Sequence, residues 1–159
     1  MKNRYADFAY RPLVEVPQEF RQLDWTYIKY YHEPFSEAEI AFQQLKEEVE
    51  GVFAHHPFLY LHFLRGVEGR LLSLAIRARQ PLAKCLEYLR RRLDLEYSRG
   101  DISGKTAEAV LLGDYALDCG EPELARKLLT EERAQLEEAL GHCQAALQCV
   151  MDRLEKLAE

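Results

Sequence analysis

The residues best suited to chemistry surround His62. Arg65, Gly66, Gly69, Ser73 and Arg77 follow it along one line at helical spacing, opposite the apolar line Tyr60, Leu64, Val67, Leu71, Leu74 and Ala75. That division predicts an imidazole outside the core. Glycines leave room beside the ring, and Arg65 offsets negative charge. A histidine that accepts a phosphoryl group in the presence of another protein needs both features. The plainer alternative is a surface histidine beside glycines that let a second helix cross closely.

The segment His62-Phe63-Leu64-Arg65-Gly66 resembles the H-x-L-K/R-G core of histidine phosphotransfer domains, which are antiparallel helical bundles. The resemblance would make His62 the phosphoacceptor, assisted by Arg65. It ends at Gly66, because Arg70, Leu71 and Leu72 stand where that family carries small residues and a further glycine. A looser likeness lies further on. Gly120-Glu121-Pro122-Glu123-Leu124-Ala125-Arg126-Lys127-Leu128-Leu129, leading into heptads, is similar to the connecting and dimerising helices of MerR-type transcription regulators. It would imply a transcription-associated regulator, although no helix-turn-helix precedes it where that family has one.

Trp25, Tyr27, Tyr30 and Tyr31 with Glu33 form a third candidate, a pocket for an aromatic or cationic ligand with the carboxylate as counter-charge. The competing reading makes these rings core filling. His55, His56 and His62, with Glu48 or Glu50, include metal-ligating types, but Pro57 interrupts helical spacing between them and no metal site is expected. No cofactor is expected either. Gly104-Lys105-Thr106 imitates the end of a phosphate-binding loop, yet helix rather than strand leads into it, and no Ser or Cys occupies a glycine-flanked turn suited to a nucleophile. An enzyme is not the expected outcome.

Helices must position these groups. The spacing predicts an all-α bundle of about five helices in a single domain, residues 1–159, with an aromatic arm and short helix over 1–35, a bundle over 36–120 and one long helix over 121–159. Nine of seventeen aromatics fall in the first 35 residues, where Pro12 and Pro17 favour an extended arm around Leu13–Val16 before a short helix at 19–32. Ser36 and Glu39 read as a capping box for a helix over 37–54. Pro57 opens a helix to Gln80, with an interruption expected at Gly66 or Gly69, and Pro81 opens another that Gly100 stops. Residues 101–105 read as a turn. Thr106 reads as the cap of a helix that Gly120 ends before Pro122 opens the last.

Leu136, Leu140, Cys143, Leu147, Val150, Leu154 and Leu157 recur in alternating steps of four and three, a seam that needs a partner, either the bundle core or a second copy. Ala139, Ala146, Met151 and Ala158 flank it. The net charge of −6 is uneven: residues 1–64 carry −4, 65–105 carry +5 and 106–159 carry −7. A lone basic segment in an acidic chain disfavours nucleic acid and suits an acidic protein partner, met by Arg77, Arg79, Arg90, Arg91 and Arg92. Four cysteines without a CxxC pair, and the lack of a secretory or membrane-spanning apolar run, suggest a cytoplasmic protein with reduced thiols. The expected function is non-enzymatic: a homodimeric regulatory or adaptor protein working by contact. Phosphotransfer at His62, a small-ligand sensor and a transcription-associated regulator are the alternatives.

Overall fold

Prolines set most of the helix starts. Pro17, Pro34 and Pro81 each stand immediately before a helix, and Pro57 and Pro122 each occupy a first helical position. The ring fixes φ and the missing N–H costs nothing at a helix start, while the carbonyl accepts the first intrahelical bonds. Thus Phe20 N donates to Pro17 O at 3.0 Å, Glu37 N to Pro34 O at 3.0 Å and Lys84 N to Pro81 O at 2.9 Å. The computed structural model describes residues 17–95 and 103–158, without the side chains of 103–107, 146–147 and 149–158. Among the described residues there are six helices and no strand. The chain is all-α, and the expected segment at Leu13–Val16, like the arm before Pro17, lies outside the described residues.

The chain divides into two units, residues 1–95 and 96–159. The first holds α1 (Gln18–Lys29), α2 (Phe35–Glu50), α3 (Pro57–Arg77) and α4 (Leu82–Asp94). Three α1–α3 contacts share one offset: Asp24 with Arg70, Tyr27 with Ser73, and Tyr31 with Arg77 are each 46 residues apart. A constant offset means that α1 and α3 run parallel. Short connections reverse the chain between successive helices, giving an up-down-up-down bundle. Phe42, Phe53, Phe63, Leu23, Leu72, Val49, Val67 and Cys85 are fully buried in it. Each large apolar side chain of this kind contributes about 1.5–3 kcal/mol.

Several local expectations give way to tertiary packing. Ser36 is not a cap: α2 starts at Phe35, two residues earlier than expected, behind Pro34 and without a side-chain cap. Glu39 turns instead to α4, accepting hydrogen bonds from Lys84 Nζ at 2.7 Å and from the Tyr88 hydroxyl. The helix α3 is not interrupted at Gly66 or Gly69. It packs against α1, α2 and α4 alike, so its burial is not one-sided: Phe63, Arg65 and Glu68 are inside as well as Val67, Leu71 and Leu74. The apolar stripe expected over 37–54 also narrows, since Ile40 is exposed and Val52, exposed too, lies past the end of α2.

The second unit holds α5 (Ser103–Asp118) and α6 (Pro122–Ala158). Thus α5 groups with α6 rather than with the helices of 36–94. It begins at Ser103, so Thr106 lies within it and residues 103–105 are helical rather than turn. Gly120 ends α5 as expected. Its φ of +79° places it in the left-handed region, and Glu121 N reaches back to Ala116 O at 2.9 Å, closing the helix end. Small residues let the two helices approach closely. At Gly113, a side chain would meet Leu129 at 3.3 Å.

Candidate functional site

The turn between α1 and α2 opens a cleft of about 390 Å³. Tyr30 and Tyr31 close one side from the end of α1, and His32 and Glu33 follow in the turn. Phe35 and Ala38 of α2, with Leu74, Arg77 and Ala78 at the end of α3, complete it. The parallel register brings these segments together, because Tyr31 and Arg77 both stand where their helices finish. Phe35, Ala38 and Leu74 are buried and supply an apolar floor.

Arg77 is the most constrained group at the rim. Its Nε donates to Tyr31 O at 2.7 Å, its Nη2 lies 2.9 Å from His32 Nδ1, and its guanidinium carbon stacks 3.6 Å from the Tyr31 ring centroid. Tyr31 and His32 meet edge to face at 5.1 Å. Three of the five residues expected of an aromatic ligand site therefore line a real cleft: Tyr30, Tyr31 and Glu33. Tyr27 does not. Its hydroxyl pairs with Ser73 Oγ at 3.0 Å and fixes α1 on α3. Trp25, 70% exposed, is also outside the cleft. His32 was missed although it continues the Tyr30-Tyr31 run, and Arg77, assigned to a separate basic face, is missed as a cleft residue because nothing in the sequence announces the α1–α3 register.

His62 is exposed, as the helical wheel predicts, but its surroundings differ from an open cationic strip. Phe20 stacks on it with ring centroids 5.4 Å apart. Arg65, only 3% exposed, lies inside the bundle rather than beside the imidazole at the surface. At Gly66, α1 crosses so closely that a methyl group there would stand 2.8 Å from Leu23 Cδ2. The glycine serves helix crossing.

Of the five arginines, four are exposed and one is buried. Arg77 and Arg79 stand at the end of α3, whereas Arg90 begins eight residues into α4, ~12 Å further along the returning helix. Arg91 is paired with Glu87 and lies over the Tyr88 ring at 5.5 Å, and Arg92 is buried.

In α6, the line covered by α5 is Ala125, Glu132 and Ala139, with Leu128 and Leu136 half-buried beside it. Of the expected seam, Leu136 borders this line, while Leu140 is 58% exposed and Cys143 is exposed. The side chains of Leu147, Val150, Leu154 and Leu157 lie outside the described residues. Of the flanking residues, Ala139 is buried, and the side chains of Ala146, Met151 and Ala158 lie outside the described residues.

Among the described residues, no group of three His, Cys, Asp or Glu side chains is placed to hold a metal ion, and no helix is long and apolar enough to cross a membrane. Comparison with protein-family models, curated proteins and solved structures gives no match.

Proposed function

We propose that the chain is a non-enzymatic regulatory or adaptor protein that acts by contact and that two copies join along α6. The observation that carries this reading is the mismatch between the two helices of the second unit. α5 has 16 residues and α6 has 37, ~55 Å at 1.5 Å per residue. The close approach of Gly113 to Leu129 sets an antiparallel register in which Ser103, the start of α5, lies level with Ala139. Ala139 is the last described residue buried on this face, and Leu140 the first exposed leucine beyond it.

Residues 140–158 then run ~28 Å past α5. The seam spacing continues through them in the sequence and is self-complementary, so a second α6 in the same register meets it leucine to leucine. Isolated helical segments of this length are marginal in water, and a partner helix supplies the missing burial.

Sedimentation of the full chain tests the reading. The expected species has twice the 18.5 kDa chain mass, and Leu140→Glu, placing a charge on the seam, shifts it to the single-chain mass with the helix content of the first unit retained. A single-chain mass at every concentration, with or without the substitution, overturns it.

A further inference from the structure

The cleft beside Tyr31 holds two opposite charges with unused bonding capacity. Arg77 spends Nε on Tyr31 O and one Nη2 hydrogen on His32 Nδ1. That leaves both Nη1 hydrogens and the second Nη2 hydrogen, the fork that grips a carboxylate bidentately. The stack on Tyr31 holds the fork in place before any ligand arrives, so little side-chain entropy is lost on binding. Glu33, on the same cleft, is exposed, and its carboxylate has no partner among the described residues. The same cleft carries the apolar floor of Phe35, Ala38 and Leu74.

We propose that this cleft binds a small zwitterion with an apolar body, an amino acid or a compound of that charge pattern. Its carboxylate takes the Arg77 fork. Its ammonium meets the Glu33 carboxylate. Its body covers Leu74 and Phe35. A pure anion would face Glu33, and a pure cation would face Arg77, so only a ligand carrying both charges satisfies both groups. The volume of about 390 Å³ lies in the range of small-molecule sites. The lysines nearby do not upset this balance: Lys84 is neutralised by Glu39, and Lys29, 4.9 Å from the Tyr30 ring centroid, is not part of the lining.

Titration calorimetry on the full chain, with three ligands of one shape, tests the proposal. L-Phenylalanine carries both charges, 3-phenylpropionate only the carboxylate and phenethylamine only the ammonium. The expected result is binding of L-phenylalanine at least ~10-fold tighter than of either analogue, about 1.4 kcal/mol. Glu33→Gln should erase its advantage over phenylpropionate, and Arg77→Gln its advantage over phenethylamine. Glu33 supports no other side chain, so its variant keeps the fold even if loss of the Arg77 contacts loosens α1. No heat from L-phenylalanine up to its solubility limit, equal affinity for the three ligands, or an unchanged preference in Glu33→Gln overturns the proposal. Because the cleft belongs to the first unit, each of these outcomes is independent of whether α6 dimerises.

Discussion

Leu23 and Gly66 are fitted to one another: a Cβ on Gly66 would stand 2.8 Å from Leu23 Cδ2, inside contact distance. Leu23 is fully buried, and Arg70 Nη1 would stand 3.2 Å from the same Cβ. Gly66→Ala should therefore destabilise the first unit by about 1–3 kcal/mol, the cost of forcing a methyl into a packed interface. Urea unfolding measures it. Leu23→Ala opens the space, so in the double variant the alanine at 66 should cost much less than it does alone. Equal costs in both backgrounds would contradict the fit.

The same crossing shapes the surroundings of His62. With Phe20 stacked on the ring and Arg65 inside the bundle, the imidazole lacks the open cationic approach that phosphoryl transfer requires. Incubation with a small-molecule phosphodonor should leave no acid-labile phosphate on the chain. A phosphoramidate signal that disappears in His62→Ala would contradict this prediction and support the phosphotransfer reading.

Glu39 ties α2 to α4 and should make stability depend on pH at both extremes. Its partial burial opposes charge. Hydrogen bonds from Lys84 and Tyr88, with the positive field of Lys84 and Arg91, outweigh that and hold the carboxyl below its usual value. Burial, then the bond to this carboxylate, push the Tyr88 hydroxyl upward. A lowered acid stabilises the fold above its unfolded value, ~4.3, and the contribution fades as pH falls through the folded value. A raised phenol does the reverse, contributing below ~10 and fading as pH rises beyond it. Tyr88→Phe should cost about 1.5–3 kcal/mol at neutral pH and flatten the alkaline limb of stability against pH, while Glu39→Gln flattens the acid limb. Denaturant titrations across pH check both, and an alkaline limb unchanged by Tyr88→Phe would rule out this hydroxyl as its source.

How far these sites could be read in advance depends on how local their causes are. The helix starts at Pro57 and Pro122 and the stop at Gly120 are properties of single residues, and they stand in the structure as the sequence implies. Ser36 fails as a cap because Pro34 captures the helix start and Glu39 is drawn to α4, a competition no local window contains. The wheel of α3 fails at Phe63 and Arg65 because a helix with neighbours on three sides has no single apolar face. In α6, large residues mark the seam by eye, yet Ala125 and Ala139 are the described apolar residues buried on this helix, while Leu140 is exposed and Leu129 fits against Gly113, a pairing that only the packing of α5 on α6 creates. The cleft is half legible for the same reason: Tyr30, Tyr31 and Glu33 lie within four residues of sequence, whereas Arg77 arrives through a register set by packing.

Lys46 and Glu68 make a partly buried pair between α2 and α3, at 2.6 Å, with the Glu68 side chain almost wholly inside. One Glu68 oxygen accepts from Lys46, and the other is buried without a hydrogen bond. Removing the cation strands the carboxylate, so Lys46→Met should cost about 3–5 kcal/mol, whereas Lys46→Met combined with Glu68→Leu should recover most of it. Thermal or denaturant unfolding of the two variants distinguishes a costly orphaned charge from a pair that contributes by itself. If the double variant is as unstable as the single one, the pair is doing more than neutralising its own burial.

Gly141 offers a way to strengthen α6 without touching its seam. It lies inside the helix beside Leu140, and a Cβ there meets nothing within 4 Å. Alanine in a helix interior is favoured over glycine by about 0.8–1.0 kcal/mol. If residues 140–158 are held helical by pairing with a second copy, part of the association energy is spent ordering them, and Gly141→Ala reduces that cost in both chains at once. The expected result is a dimer dissociation constant lowered by roughly 10-fold, with no change in the unfolding of the first unit. Unchanged association in Gly141→Ala, alongside a measurable gain in helix content, would mean that the segment beyond Ala139 is not where the copies meet.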